Sequence, residues 1–241
     1  MAIIDKLTII ANAIRSKNGT TNTMTLDEMN DAIKNIQTGM ITYVNQLTTI
    51  SDYLFYGCEK LALTELPSGI TSIGSCAFEG CTSLALTSLP SGITSIGMGA
   101  FYGCVKLSLT ELPSGVTSID NYTFQNCTNL ALTKLPSGIT SIGDNAFCKC
   151  TNLSLTELPS SITSIEDFTF CNCSNLALME LPSGVTSIGM SAFYGCVKLS
   201  LTELPSGLTS IGNYTFQNCT NLALTELPSG ITSIGEGTFY S

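Results

Sequence analysis

The sequence predicts a solenoid of the α/β class, in which 23-residue coils stack on one another. Each coil is expected to hold short strands and a short helical turn, and an N-terminal helical hairpin precedes the stack. Three observations predict this. The eight prolines, from Pro67 to Pro228, fall on a step of 23 residues. Nine phenylalanines, from Phe55 to Phe239, keep the same step. So do eight of the 11 cysteines, from Cys58 to Cys219. Self-similarity at a period of about 20–50 residues marks stacked repeats. Each coil of such a stack packs only on its neighbours, so copy number sets the length.

The hairpin comes first. In residues 1–39, Ile3, Leu7, Ile10 and Ile14 recur at helical spacing. Asn18-Gly19 breaks the pattern, and Thr25-Leu26-Asp27-Glu28 reads as a capping box in which the Thr hydroxyl accepts from the third amide and Glu28 reaches back. Leu26, Met29, Ile33 and Ile36 give a second apolar stripe, ended by Gly39. Neither helix is long enough to be stable alone in water. The stripe is therefore expected to pack on the first coil, on another copy or on a partner.

The solenoid spans residues 40–241. A degenerate first repeat covers 38–60, seven full repeats cover 61–221, and a truncated one covers 222–241. Residues 61–83, LALTELPSGITSIGSCAFEGCTS, illustrate one coil. Leu61, Leu63 and Leu66 suit a short strand. Pro67-Ser68-Gly69 reads as a turn, with Pro presetting φ and Gly permitting a left-handed value. Ile70–Ile73 reads as a second extended piece, and Gly74 as the opening of a helical turn carrying Ala77, Phe78 and Cys81. Stacking at the strand spacing of ~4.8 Å turns these inward residues into one core. A cysteine repeating beside a Phe ladder reads as core filling rather than as a disulfide framework. A longer period overlies the first. Residues 97–143 and 189–235 differ only at Gly99/Ser191, Val116/Leu208, Asp120/Gly212 and Lys134/Glu226.

Composition excludes several functions. The formal net charge is −9 with one arginine, Arg15, which argues against nucleic-acid binding. Residues 1–39 are neutral, with four basic and four acidic side chains, so 40–241 carry the whole excess. There is no histidine, which removes His-based triads and His-ligated metal sites. The start, MAIIDKLTIIANAIRSK, does not read as a signal peptide, because its apolar residues are spaced and Asp5 interrupts them. No run approaches the ~18 apolar residues of a membrane span. No cofactor and no metal site is expected, and no catalytic residue stands out.

The frame L-x-L-T-x-L-P-S-G-[IVL]-T-S-I-G-x-x-A-F-x-x-C resembles the BspA-type leucine-rich repeat, on pieces such as LPSGITSIG (66–74) and AFEGC (77–81). It departs from the usual frame at Leu63-Thr64, where that family more often has a polar residue and then Ile. The resemblance implies a curved solenoid with a parallel sheet on its concave face. It also implies a bacterial surface protein active in adhesion or host-protein binding, with no catalytic residues to carry over. Residues 5–36 look like the short helical segments that begin many phage tail and prophage-encoded structural proteins, which would suit an attachment or oligomerisation module.

Four constellations hold candidate function. The first is an acidic column before the prolines (Glu65, Glu111, Glu157, Glu180, Glu203, Glu226), which reads as a cation site or as a solvated edge that blocks aggregation. The second is an unbroken threonine column from Thr71 to Thr232, matching either an ice-binding array or ordinary exposed strand residues. The third is Cys148 with Cys171, in a slot that is polar in most coils and so expected to be exposed. Their α-carbons are expected ~5 Å apart, and they read as a disulfide or as two free thiols. The fourth gathers where the repeats differ: Tyr53, Tyr56, Tyr102, Tyr122, Phe168, Tyr194 and Tyr214, with Tyr240. Aromatics on a Ser/Thr surface are common recognition anchors, though they also cover turns.

The expectation is a non-enzymatic protein that binds a protein or glycan partner on a host or cell surface. The alternative is a tail-associated phage or prophage protein with residues 1–39 as its anchor. Cell surface or virion is the place the resemblances imply. Homo-oligomers are expected through residues 1–39 or through the last coil near 222–241.

Overall fold

The computed structural model describes residues 48–240, and these form a parallel β-solenoid. Nine two-residue strands recur at the 23-residue step: β1 Thr49–Ile50, β2 Ser72–Ile73, β3 Ser95–Ile96, β4 Ser118–Ile119, β5 Ser141–Ile142, β6 Ser164–Ile165, β7 Ser187–Ile188, β8 Ser210–Ile211 and β9 Ser233–Ile234. Each coil takes the number of its strand. Strands pair in register, as in Ser187↔Ser210 and Ile188↔Ile211. The expected hairpin at 1–39 lies outside the described residues.

The core consists of the repeating columns. Phe55, Phe78, Phe101, Phe124, Phe147, Phe170 and Phe193 are wholly buried, and their rings stack with centroids 5.2–5.6 Å apart. The eight column cysteines are buried beside them. Seven donate S–H to the carbonyl of the Phe 26 residues earlier, as Cys127 does to Phe101 at 3.0 Å. A soft thiol fits here because it fills a small gap and still satisfies a carbonyl that faces the core. Buried Thr123, Thr169 and Thr215 stand in the alanine column, and their hydroxyls bond main-chain carbonyls.

Three expectations are corrected. The ladder runs through the Ser-Ile pair, whereas Leu61–Leu66 and its equivalents form no strand and keep one inter-coil bond, such as Ala85 N to Leu63 O at 3.0 Å. The segment after Gly74 is not helical. Alternate N–H groups there close turns three residues back, such as Glu79 N to Cys76 O, while the others reach the next coil, such as Phe78 N to Ala100 O. A helix would spend every N–H within itself. Here two left-handed residues per coil, such as Cys76 and Gly80, point alternate groups outward along the stack. The Gly69 column is not left-handed either, which is why Ser161 can stand in it.

The column of Gly74 has a different requirement, which is close approach. A Cβ at Gly97 would lie 2.6 Å from the Ser75 amide nitrogen, and one at Gly212 would lie 2.5 Å from that of Met190. Glycine lets each N–H in this column reach the Ile carbonyl of the coil before, as Gly212 does to Ile188 at 2.8 Å. Of coils 2–9, which each follow a described strand, two break the column, with Asp120 and Glu166. The sheet breaks at the same two places, between β3 and β4 and between β5 and β6, leaving sheets of three, two and four strands. The duplicated blocks act as an internal control. Asp120 and Gly212 are one of only four differences between 97–143 and 189–235, yet β7 and β8 pair while β3 and β4 do not. A side chain at this position holds neighbouring coils apart on the strand wall.

Candidate functional surface

The variable slots gather in the turn that follows each ladder strand, in two columns three residues apart. One runs Tyr53, Cys76, Gly99, Tyr122, Asn145, Phe168, Ser191, Tyr214, Gly237, and every member has a φ between 51° and 62°. The fold therefore demands a left-handed residue at this point of each coil. Glycine meets the demand without strain, but four coils place an aromatic there. Such outliers persist only where surrounding bonds over-determine them. Those bonds are present. Each of the four aromatics follows an Asp or Asn whose side-chain oxygen accepts an N–H from the next coil: Asp52 from Ser75, Asn121 from Asp144, Asp167 from Met190 and Asn213 from Glu236, at 2.6–2.9 Å. Sequence reasoning missed these acceptors, although the recurring Asp/Asn-aromatic dipeptide was their signal.

The second column runs Tyr56, Glu79, Tyr102, Gln125, Cys148, Cys171, Tyr194, Gln217, Tyr240. Tyr53 and Tyr56 meet with ring centroids 5.9 Å apart, and both are exposed, as are Tyr122 and Tyr240. Tyr102, Phe168, Tyr194 and Tyr214 are half-buried. The Tyr53 phenol is held above its ordinary value chiefly by the charge of, and hydrogen bond with, Cys76. Burial, with hydrogen bonding to Glu79, pushes Cys76 up to about 11.

Cys148 and Cys171 depart from expectation. The slot is half-exposed for Gln125 and Tyr194, but the two short thiols that lie between them in the column are buried. Both are free thiols, and Asn172 Nδ2 donates to Cys171 Sγ at 3.3 Å.

The other constellations behave as scaffold. In the threonine column, the hydroxyls of Thr71, Thr140, Thr186, Thr209 and Thr232 donate to the Thr carbonyl of the preceding coil at 3.0–3.4 Å. Those hydroxyls are tied to the ladder and are not a free array. The glutamate column lines two shallow grooves of about 520 and 770 Å³ over the Leu-Pro-Ser turns, and Lys134 stands between Glu111 and Glu157. Among the described residues, no three His, Cys, Asp or Glu side chains are placed to hold a metal, and no helix is long and apolar enough to cross a membrane. Near the expected self-association surface of the last coil, Leu227, Ile234, Phe239 and Tyr240 are exposed.

The repeat frame matches the BspA type leucine rich repeat region, with six copies over residues 48–156 and 140–241. This chain belongs to that family. The crystal structure of a leucine-rich repeat protein from T. pallidum is 33% identical, with a TM-score of 0.59 over 72% of this chain and 82% of that one. A leucine-rich cell surface protein from Faecalibacterium prausnitzii is 26% identical over 80% of this chain and 64% of its own, with a TM-score of 0.46. A comparison with curated proteins gave no match.

Proposed function

We propose that this leucine-rich repeat chain is a non-enzymatic binding protein that engages a protein or glycan on a host or cell surface through its turn wall. The observation that carries the reading is the left-handed column. Tyr53, Tyr122, Phe168 and Tyr214 occupy positions where glycine would be less strained, and each retains exposed ring surface. Stability does not favour a bulky aromatic there, whereas recognition does, since Tyr and its like supply large, rigid contact area. The columns spread these anchors along the stack, which suits an extended partner. The tail-associated alternative rests on residues 5–36, which lie outside the described residues.

A binding screen against host surface proteins and glycans tests this. Once a ligand is found, Tyr122→Gly with Tyr214→Gly is expected to weaken it by about 2 kcal/mol or more, roughly 30-fold, with no loss of stability. Replacing Glu157, Glu180 and Glu203 by Gln in the groove should leave affinity unchanged. The reverse pattern, with loss in the groove variant alone, would move the binding surface to the Leu-Pro-Ser face.

A further inference from the structure

Three cysteines stand outside the core column: Cys76, Cys148 and Cys171. The last two occupy the same slot of coils 5 and 6. The backbone on either side of Cys148 is locked in register with coil 6, by Phe147 N to Thr169 O at 2.9 Å and Lys149 N to Cys171 O at 2.7 Å. Backbones bonded in this way across neighbouring coils lie at the strand spacing of about 4.7–4.9 Å. That step falls inside the Cα window of about 4.4–6.8 Å for a disulfide. Both thiols are buried in this slot, and Asn172 Nδ2 donates to Cys171 Sγ at 3.3 Å. Seven of the column cysteines instead spend their S–H on main-chain carbonyls.

The place of the pair adds a second observation. Coils 5 and 6 are one of the two junctions where the sheet is broken, at Glu166. A covalent link between the turns that follow β5 and β6 would cross the same junction that has lost its strand bonds. We propose that Cys148 and Cys171 are a reversible redox pair whose disulfide staples coil 5 to coil 6.

The chemistry is thiol–disulfide exchange with a low-molecular-weight disulfide such as oxidised glutathione. Cys148 is the attacking thiol. Its interaction with the Cys171 thiol, helped by Lys149 and Gln125 against the effect of burial, lowers its pKa and favours the thiolate. The Cys171 thiol is raised by the same interaction and by burial. Cys148 loses a proton and attacks one sulfur of the oxidant, breaking its S–S bond and releasing one thiol. Cys171 then loses its proton and attacks the Cys148 sulfur of the mixed disulfide, releasing the second thiol. Two S–H bonds become one S–S bond, and both electrons end on the oxidant. The inference does not depend on the binding role of the aromatic wall.

The test uses the full chain in buffers set by reduced and oxidised glutathione, quenched by alkylation in denaturant and mapped by peptide mass. In oxidised buffer, the peptides of Cys148 and Cys171 should appear linked, two hydrogens lighter, and a dithiol should reverse this. Hydrogen exchange in residues 141–165 should slow at least several-fold on oxidation. In Cys148→Ser the exchange there should no longer respond to glutathione. Alkylation of both cysteines after oxidation would overturn the proposal. So would glutathione retained on one of them, a link to Cys150 or Cys173, or unchanged exchange despite the link.

Discussion

Gly212→Asp copies into coil 8 the residue that coil 4 carries at Asp120. Its Cβ would meet the amide nitrogen of Met190 at 2.5 Å and the carbonyl carbon of Gly189 at 2.6 Å. Both are backbone atoms that cannot turn aside, so coils 7 and 8 must separate on the strand wall. Two hydrogen bonds have no counterpart between coils 3 and 4: Thr209 N to Thr186 O at 2.9 Å and Gly212 N to Ile188 O at 2.8 Å. At about 0.5–1.5 kcal/mol each, their loss costs about 1–3 kcal/mol. Replacing Gly reduces unfolded-chain entropy and returns about 0.4–1 kcal/mol. The net loss is about 1–2 kcal/mol, or a melting midpoint lower by ~2–8 °C. Because each coil senses only its neighbours, faster hydrogen exchange should be confined to residues 186–212. The mirror variant, Asp120→Gly, should slow exchange in residues 94–120. The reasoning fails if Gly212→Asp leaves exchange at its junction unchanged, or if Asp120→Gly does not protect its own.

Three further outcomes follow from the same geometry. Tyr122→Gly relieves a residue held at φ 61°, worth about 1–2 kcal/mol, against about 0.4–1 kcal/mol for a freer unfolded chain, and should keep or raise stability by up to about 1 kcal/mol in denaturant unfolding, even as it weakens partner binding. Phe124→Ala opens a cavity in the middle of the ring stack and should cost about 3–5 kcal/mol, read as a lower denaturant midpoint at unchanged slope. The fold should lose stability in alkali. Burial raises the Cys219 thiol from an ordinary 9.0 to about 12, and Cys127 higher still. A raised folded value means that the contribution is complete below pH 9 and is lost as pH climbs from 9 toward the folded value, while unfolded thiols ionise. A melting midpoint that stays flat from pH 8 to pH 11 would contradict this.

The sequence by itself determined which residues share a column. The step of 23 places Phe124 on Phe147, Cys127 on Cys150 and Tyr122 in line with Phe168, because stacked coils translate a period directly into contacts. Copy number and the core followed from that, as did the aromatic face as a place where repeats differ. What the period cannot carry is the conformation within one coil or the gap between two. The turn after Gly74 reads as helix-compatible, but the three-dimensional stack draws alternate N–H groups into the next coil and imposes left-handed residues that no propensity foretells. Cys148 and Cys171 sit in a polar slot, yet both short thiols are buried. Asp120 and Glu166 look like ordinary substitutions in a variable repeat. Only the tertiary structure shows a glycine column pressed against the preceding backbone, where one Cβ is enough to part the sheet.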